Sequence, residues 1–244
     1  MKDLFRLLGF TLVAVFCFGL IACSSDDNDD DGVDTTPITL YAGQEKVIQG
    51  ADTITASNRF VAYGSKNTVY GWHIGETSLL VNGKKTIPIT VLPERKLYDN
   101  PICEWGCSMD YVKTNQKQGS LSSKSTSEIL GYEDAGGATL LAYQFENGKL
   151  KTVMAVVSTN HTTALGEYLR ERYLMVSQYK GKDMYFAGID GLDEVHAKTF
   201  VYLDMYNINY WAVLYGSVKD ITTRSYSNDG KNELFEMLRP FLTE

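Results

Sequence analysis

Two stretches of equal length, Thr139-Leu-Leu-Ala-Tyr-Gln-Phe-Glu-Asn147 and Thr199-Phe-Val-Tyr-Leu-Asp-Met-Tyr-Asn207, decide the fold of the C-terminal half of this chain. Each runs from a threonine to a turn asparagine, and each is followed by an alternating segment, Leu150 to Val157 or Tyr210 to Tyr215. Alternation of this kind is typical of β-strands, so each stretch predicts one strand of a hairpin. The equal length and order at two places predict an internal repeat.

The segments before each hairpin extend this repeat. A shorter strand is predicted at Ile129 to Tyr132 before the first hairpin and at Met184 to Ile189 before the second. Helical periodicity precedes each of them, near Cys107 to Thr114 and from Ala164 to Val176. A unit of one helix and three strands therefore occurs twice, which predicts an antiparallel sheet with helices on one face.

We place the two units at about 105–158 and 163–216, within an α+β domain of residues 93–244 that ends in a helix from Asn228 to Leu238. The repeat, together with Trp105-Gly106 before the first helix, resembles the TATA-binding-protein-like module found at the C-terminus of many Bacteroidota lipoproteins. This resemblance implies the fold alone, and DNA binding does not follow from it.

Residues 37–92 contain short alternating segments separated by turn residues, which is typical of a small β-sandwich. Asn82-Gly83 predicts a two-residue hairpin turn between the last two strands. The order of features resembles the bacterial Ig-like domain of group 2 (BIG2), whose members are commonly spacers or adhesive modules on bacterial surfaces. Trp72-His73 stands where members of that family usually have small residues. That resemblance rests on Gly43, Ser57-Asn58-Arg59-Phe60-Val61-Ala62, Val69-Tyr70-Gly71 and Gly75-Glu76-Thr77.

The N-terminus predicts where the protein lies. Residues 1–22 form a signal peptide, because the apolar run from Leu7 to Ala22 is shorter than a membrane span and follows a short charged start. Leu20-Ile21-Ala22-Cys23 resembles the bacterial lipobox, which implies acylation of Cys23 with a fatty acid such as palmitate. The aspartates after Cys23 resemble the export signal of Bacteroidota lipoproteins, and we expect residues 23–36 to be an acidic tether outside the outer membrane.

The charge of the chain argues against nucleic acid as a partner. The 23 basic and 30 acidic residues give a formal net charge of −7, and no basic stripe is present. Much of the acidity belongs to the tether, so the folded part is close to neutral. The tether aspartates are Asp26, Asp27, Asp29, Asp30, Asp31 and Asp34.

The second hairpin carries a candidate ligand face. If its turn lies at Asn207-Ile208, strand alternation brings an acid and several aromatic rings together opposite the helix-covered face. Flat rings beside a carboxylate suit a sugar, whose apolar face stacks while its hydroxyls donate to the acid. The alternatives are that the C-terminal helix or the Ig-like domain covers this face, or that the rings pair across strands. The candidate residues are Tyr202, Asp204, Tyr206, Trp211 and Tyr215.

Cys103 and Cys107 are the next candidates. Their spacing can close a disulfide in a loop, and export favours a disulfide over a zinc site. Two buried free thiols are the alternative, as is a reactive Cys107 at a helix start. No phosphate loop, dinucleotide fingerprint, nucleophile elbow or metalloprotease helix appears, and the histidines show no metal spacing. We therefore predict no metal, no cofactor and no catalytic residue.

The function expected from the sequence is that of a lipid-anchored outer-membrane protein, facing the cell exterior, that binds a glycan or an envelope protein without catalysis. Two other functions stay open. One is a hydrolase or redox enzyme of the envelope, built on Cys107 or on an acidic loop near Asp190. The other is a structural subunit of an outer-membrane complex. Thr35 and Thr53 also match the Bacteroidota O-glycosylation motif.

Overall fold

The computed structural model describes residues 32–176, 186–220 and 228–242. The predicted signal peptide, Cys23 and the tether up to Asp31 lie outside the described residues. The protein is mostly β-structure arranged in several sheets, and Gly32–Glu244 forms one compact unit. Within the described ranges, no helix is long and apolar enough to cross a membrane.

Residues 37–92, all of them described, form two sheets that enclose one apolar core, as expected of a β-sandwich. The sheets have strand orders β1-β7-β6-β3 and β2-β5-β4, and β1 runs parallel to β7. Burial alternates along the strands, so one side of each sheet faces the core. The strands are β1 (Ile38–Tyr41), β2 (Glu45–Val47), β3 (Ile54–Ala56), β4 (Ala62–Ser65), β5 (Thr68–Gly71), β6 (Gly75–Val81) and β7 (Lys85–Leu92).

The turn between β6 and β7 lies where the sequence predicts it. Asn82 and Gly83 have φ values of 52° and 68°, the left-handed conformation that a tight hairpin turn requires. The strands resume with Val81 paired to Lys85, so the connection has one residue more than predicted.

The second part is built on one eight-stranded sheet of order β12-β13-β14-β15-β11-β10-β9-β8. The two predicted repeats occupy its two halves and meet where β11 pairs with β15. Helices α1 (Met109–Asn115) and α2 (Thr162–Arg170) open the two halves, and α3 (Asn228–Leu242) follows the last strand. The strands are β8 (Ser120–Leu121), β9 (Ile129–Ala135), β10 (Ala138–Glu146), β11 (Lys149–Ser158), β12 (Leu174–Met175), β13 (Phe186–Ile189), β14 (Thr199–Asn207) and β15 (Tyr210–Ser217).

Helices cover both faces of this sheet. Val112 of α1 and Leu165 of α2 share one core with one face, as the repeat predicts. Leu238 and Phe241 of α3 belong to a separate core on the opposite face. The ring of Phe241 lies directly against Gly131, where a side chain on the sheet would collide with it. Because this contact holds its last turn, α3 continues past the end predicted for it.

The register of the first long hairpin departs from simple alternation. Phe145 pairs with Leu150 beside the turn, but Gln144 pairs with Thr152. Lys151 is therefore an extra residue, a β-bulge that shifts the following strand by one position. A shift of one residue exchanges the faces of all side chains beyond it, so simple alternation from the turn assigns the residues of β11 past Lys151 to the wrong face.

The second long hairpin contains a bulge as well. Asn207 pairs with Tyr210, which moves the turn one residue later than predicted, and Met205 pairs with Trp211. Tyr206 is the extra residue between these pairs. The predicted face that joined Trp211 to the even-numbered residues of β14 is therefore wrong, because Trp211 shares its face with Met205.

The sandwich and the large sheet touch through the end of α2. The backbone N–H of Ile74 donates to the carbonyl oxygen of Glu171 at 2.9 Å. Arg95, in the segment between the two parts, places its Nε 2.6 Å from Oε2 of Glu167. Leu174 packs against the sandwich core. The sandwich and the second part are therefore joined by a hydrogen bond, an ion pair and apolar packing.

Candidate functional site

Trp211 and Tyr215, two of the predicted ligand residues, lie in the core beneath α1 and α2. The indole Nε1 of Trp211 donates to Oγ1 of Thr162 at 2.8 Å. Tyr215 is fully buried, and its hydroxyl lies 2.6 Å from the hydroxyl of Tyr98. Neither ring can stack on a ligand at the surface.

Tyr202, Asp204 and Tyr206 are separated from those two rings by the sheet. Asp204 is buried, and its Oδ2 accepts a hydrogen bond from the Tyr202 hydroxyl at 2.9 Å. Its Oδ1 accepts from the backbone N–H of Met205 at 2.7 Å. The carboxylate is thus bound by its own neighbours, and the predicted pairing of an open acid with Trp211 does not occur.

Tyr206 does reach an open groove at the tip of the second hairpin. The groove has a volume of about 300 Å³ and lies between Tyr206 and Asn207 on one side and Phe235, Glu236 and Arg239 of α3 on the other. Tyr206 meets Phe235 edge to face at 5.2 Å, and Arg239 pairs with Glu236 at 2.9 Å. The groove is lined by this edge-to-face ring pair and by the paired charges of Glu236 and Arg239.

Cys103 and Cys107 are free thiols in the structure, so the predicted disulfide is not formed. Burial raises the pKa of Cys103 well above its ordinary value, and burial also raises the pKa of Cys107. Thiolates are therefore disfavoured at both positions at neutral pH. Among the side chains that the structure describes, no three histidine, cysteine, aspartate or glutamate residues converge on a metal position.

An exposed aromatic surface occurs instead on the sandwich, on the outer side of the sheet β2-β5-β4. Tyr63 of β4 pairs with Tyr70 of β5, and Trp72 follows β5 directly. Ala62 and Val69 point inward and are fully buried, so alternation turns Tyr63 and Tyr70 outward. Tyr63 is 37% exposed and Trp72 is 40% exposed. We call Tyr63, Tyr70 and Trp72 the aromatic row.

The rings of the aromatic row stand in two orientations. Tyr63 and Tyr70 stack with their centroids 5.0 Å apart and an angle of 11° between the rings. Trp72 lies 5.9 Å from Tyr63 at an angle of 80°. Rings at nearly a right angle form a corner, in which a small ligand can touch two of them together.

Polar groups border the aromatic row. Glu45 of β2 pairs with Tyr70 across the sheet, and its negative charge is the main cause that raises the pKa of the Tyr70 hydroxyl. The pair two residues further along β4 and β5, Ser65 with Thr68, lies on the same side of the sheet as Tyr63 and Tyr70. A carboxylate and two hydroxyl-bearing residues therefore lie next to the aromatic surface, on the same side of the sheet.

A buried histidine supports the row from within. His73 is 2% exposed, stacks on Phe60 at 4.1 Å and lies 4.7 Å from the Trp72 ring. Its Nδ1 donates to the carbonyl oxygen of Phe60 at 2.8 Å, and burial lowers the pKa of the imidazole. The backbone N–H of Trp72 donates to the Val61 carbonyl at 2.8 Å. Trp72 therefore rests on a packed base, which restricts its ring in the absence of a ligand.

The two proposed glycosylation threonines are accessible. Thr35 and Thr53 are both exposed. Their modification stays a prediction.

The aromatic row has a signal in the sequence. Trp72-His73 is a bulky aromatic pair, and Tyr63 and Tyr70 are aromatic residues in short predicted strands. Only strand pairing brings Glu45 to Tyr70, because β2 and β5 are not consecutive in the sequence. Comparison of the chain with protein-family models, with curated proteins and with solved structures finds no match.

Proposed function

We propose that this protein is a non-enzymatic binding module of the cell envelope, whose ligand is a glycan or an envelope protein. The aromatic row carries the proposal, since it exposes Tyr63 and Trp72 beside the carboxylate of Glu45. Tryptophan and tyrosine contribute large, rigid contact surfaces and dominate the binding energy of many interfaces. A group of such rings held on a rigid sheet loses little conformational entropy when it binds.

The proposed location is the outer membrane, with lipid on Cys23 and the folded part facing the cell exterior. The lipobox-like sequence up to Cys23 and the aspartates after it support this location. Val33 is already buried in the sandwich core, so the tether joins the folded part at that residue. The aromatic row then belongs to the part of the folded chain that is closer in sequence to the anchor.

We also propose the two domain identities that the sequence suggests. Seven short strands in two sheets support a bacterial Ig-like group 2 domain at residues 37–92. The paired halves of the large sheet, each with a helix and a strand meander, support a TATA-binding-protein-like module. These identities concern the fold, and the binding function rests on the aromatic row.

The alternative of a hydrolase or redox enzyme at Cys107 has less support. A nucleophilic or redox cysteine depends on a lowered thiol pKa, whereas the pKa of Cys107 is raised by burial. In the acidic loop, Asp190 accepts the backbone N–H groups of Lys198 and Thr199, at 2.7 Å and 2.8 Å. This carboxylate therefore stabilises its own loop. A structural subunit of an outer-membrane complex would use the same exposed surfaces and is an outcome of the experiment below.

The test is binding by the full chain, purified in detergent, to an array of bacterial and host glycans. We expect at least one glycan to bind, and Trp72→Ala and Tyr63→Ala each to weaken that binding about tenfold or more, because each removes one wall of the ring corner. Tyr111→Ala is the matched control, since Tyr111 is 44% exposed on α1, in the other half of the molecule. Circular dichroism of each variant checks that it folds.

Glycan binding that survives both substitutions in the aromatic row would remove this surface as the binding site. If no glycan binds, cross-linking on intact cells tests an envelope protein as the ligand, with the same variants. A cross-link that is lost in Trp72→Ala and kept in Tyr111→Ala is expected in that case. Cross-links identical in all variants would contradict the proposal and favour a purely structural subunit.

A further inference from the structure

We infer that the aromatic row binds a neutral saccharide, which stacks on Trp72 while its hydroxyl groups donate hydrogen bonds to the Glu45 carboxylate. This inference rests on the proposed binding function and names the chemical class of the ligand at the same site.

The size of the surface favours a saccharide. A stable protein interface takes roughly 20–30 residues from each side, with an apolar centre. The aromatic row has three rings, and the register places polar residues beside it: Glu45 next to Tyr70, and the Ser65–Thr68 pair two residues along the strands. An apolar surface of three rings, bordered by Glu45, by the Ser65–Thr68 pair and by the exposed Val47 that pairs with Thr68, matches one or two sugar units.

The shape of the surface favours a ring-shaped ligand. Trp72 and Tyr63 stand at 80° to each other with centroids 5.9 Å apart. A pyranose has an apolar face of C–H groups and a rim of hydroxyls, so it can lie on one ring and touch the other with its edge. An extended peptide would instead need an open strand edge for its backbone, and the rings here project from the face of the sheet.

The charge of the surface favours a neutral ligand. The Glu45 carboxylate accepts a hydrogen bond from the Tyr70 hydroxyl, and the complement of its remaining acceptor positions is a group rich in donors, such as sugar hydroxyls. Glu45 stands directly across the sheet from Tyr70, so its negative charge lies beside the aromatic row. A uronate or sulfate group on the ligand would bring a second negative charge to this place and would be repelled.

Nearby lysines do not cancel this charge at the row. Lys46 follows Glu45 but pairs with Val69, a buried position that faces the core side of the sheet. Lys66 stands in the turn between β4 and β5, beyond the Ser65–Thr68 pair. By register, both lysines lie away from the pair formed by Glu45 and Tyr70.

The experiment compares neutral and acidic oligosaccharides on the full chain in detergent. The neutral probes are cellohexaose, laminarihexaose, xylohexaose and mannohexaose, and the acidic probes are hexagalacturonate and hexaguluronate. Titration calorimetry at low salt measures each affinity for the wild type, Glu45→Gln, Trp72→Ala and the control Tyr111→Ala. Glu45→Gln keeps the size of the side chain and one acceptor oxygen, and removes the charge.

We expect the wild type to bind at least one neutral probe and to bind both acidic probes about tenfold more weakly or worse. In Glu45→Gln this difference should shrink severalfold, and added salt should shrink it in the wild type, because screening weakens charge repulsion. Trp72→Ala should lose binding while Tyr111→Ala keeps it.

Acidic probes that bind as tightly as neutral ones, with binding still dependent on Trp72, would overturn the inference and leave the proposed function intact. The same holds if no probe binds and an envelope protein is cross-linked in a Trp72-dependent way. Binding of any probe that is indifferent to Trp72 and Tyr63, or no ligand of either kind, would overturn the proposed function itself.

Discussion

A pair of buried hydroxyl groups gives the sharpest test of the corrected strand register. The hydroxyls of Tyr98 and Tyr215 lie 2.6 Å apart, and the two residues are 3% and 0% exposed. If Tyr215 is replaced by phenylalanine, the Tyr98 hydroxyl loses this partner inside the core. The cost of leaving a buried polar group in this state is about 1–3 kcal/mol. Tyr98→Phe should cost about the same for the same reason.

The double variant should cost less than the sum of the two single variants, by about 1–3 kcal/mol, since it leaves neither hydroxyl behind. Urea unfolding of the full chain in detergent, followed by near-ultraviolet circular dichroism, measures the three free energies. Tyr111→Phe is the control for loss of an exposed hydroxyl and should change stability by less than about 0.5 kcal/mol. Strict additivity would show that the hydroxyls are not paired. A Tyr215→Phe variant with unchanged stability and weakened glycan binding would restore Tyr215 to the surface and refute the register.

Three further predictions concern other parts of the molecule. Burial lowers the pKa of His73 below its ordinary value of 6.5, so below about pH 6.5 the unfolded chain binds more protons than the folded chain does. The free energy of unfolding should therefore fall as the pH drops below about 6.5. His73→Gln should flatten this pH dependence in urea titrations from pH 8 to pH 4. Gly131→Ala should destabilise the protein by about 1–3 kcal/mol, because the new methyl group meets the ring of Phe241. Amide hydrogens of α3 should then exchange faster. Phe241→Ala should lower the free energy of unfolding less in the Gly131→Ala chain than in the wild type. Because the pKa values of Cys103 and Cys107 are raised, both thiols should be alkylated slowly at pH 7 in the folded chain, and Cys103 more slowly than Cys107. Peptide mass mapping, with the urea-unfolded chain as reference, measures the two rates. Rapid alkylation of Cys107 would support a reactive role for it.

The sequence predicts the repeated architecture of the second part because its signal is long and occurs twice. The structure contains the two predicted shorter strands, as β9 and β13, and both long hairpins. A helix precedes each half of the sheet. The periodicity of the sequence does not predict the β-bulge in each long hairpin. Lys151 and Tyr206 each add one residue to a strand without any change in the alternation of residue types. Since one residue reverses the faces, a correct list of strands led to an incorrect ligand face.

The end of α2 shows a second limit. The apolar stripe from Leu165 to Val176 predicts one long helix, but the helix ends at Arg170. Tyr173 still joins the core, and Leu174 begins the short edge strand that pairs with Ile189. Leucine and tyrosine serve equally well on a helix stripe and on an edge strand. Tertiary pairing with β13 decides between them, and no local pattern reports it.

The placement of the aromatic residues follows from how many faces of each sheet are covered. The eight-stranded sheet has α1 and α2 on one face and α3 on the other, so a ring on either face of its central strands is buried, as Trp211 and Tyr215 are. Each sheet of the sandwich has only one face in the core, and its outer face meets solvent. A ring in β4 or β5 that points outward therefore stays exposed, and no other element need move to admit a ligand. The sandwich is for this reason the better place to expect recognition.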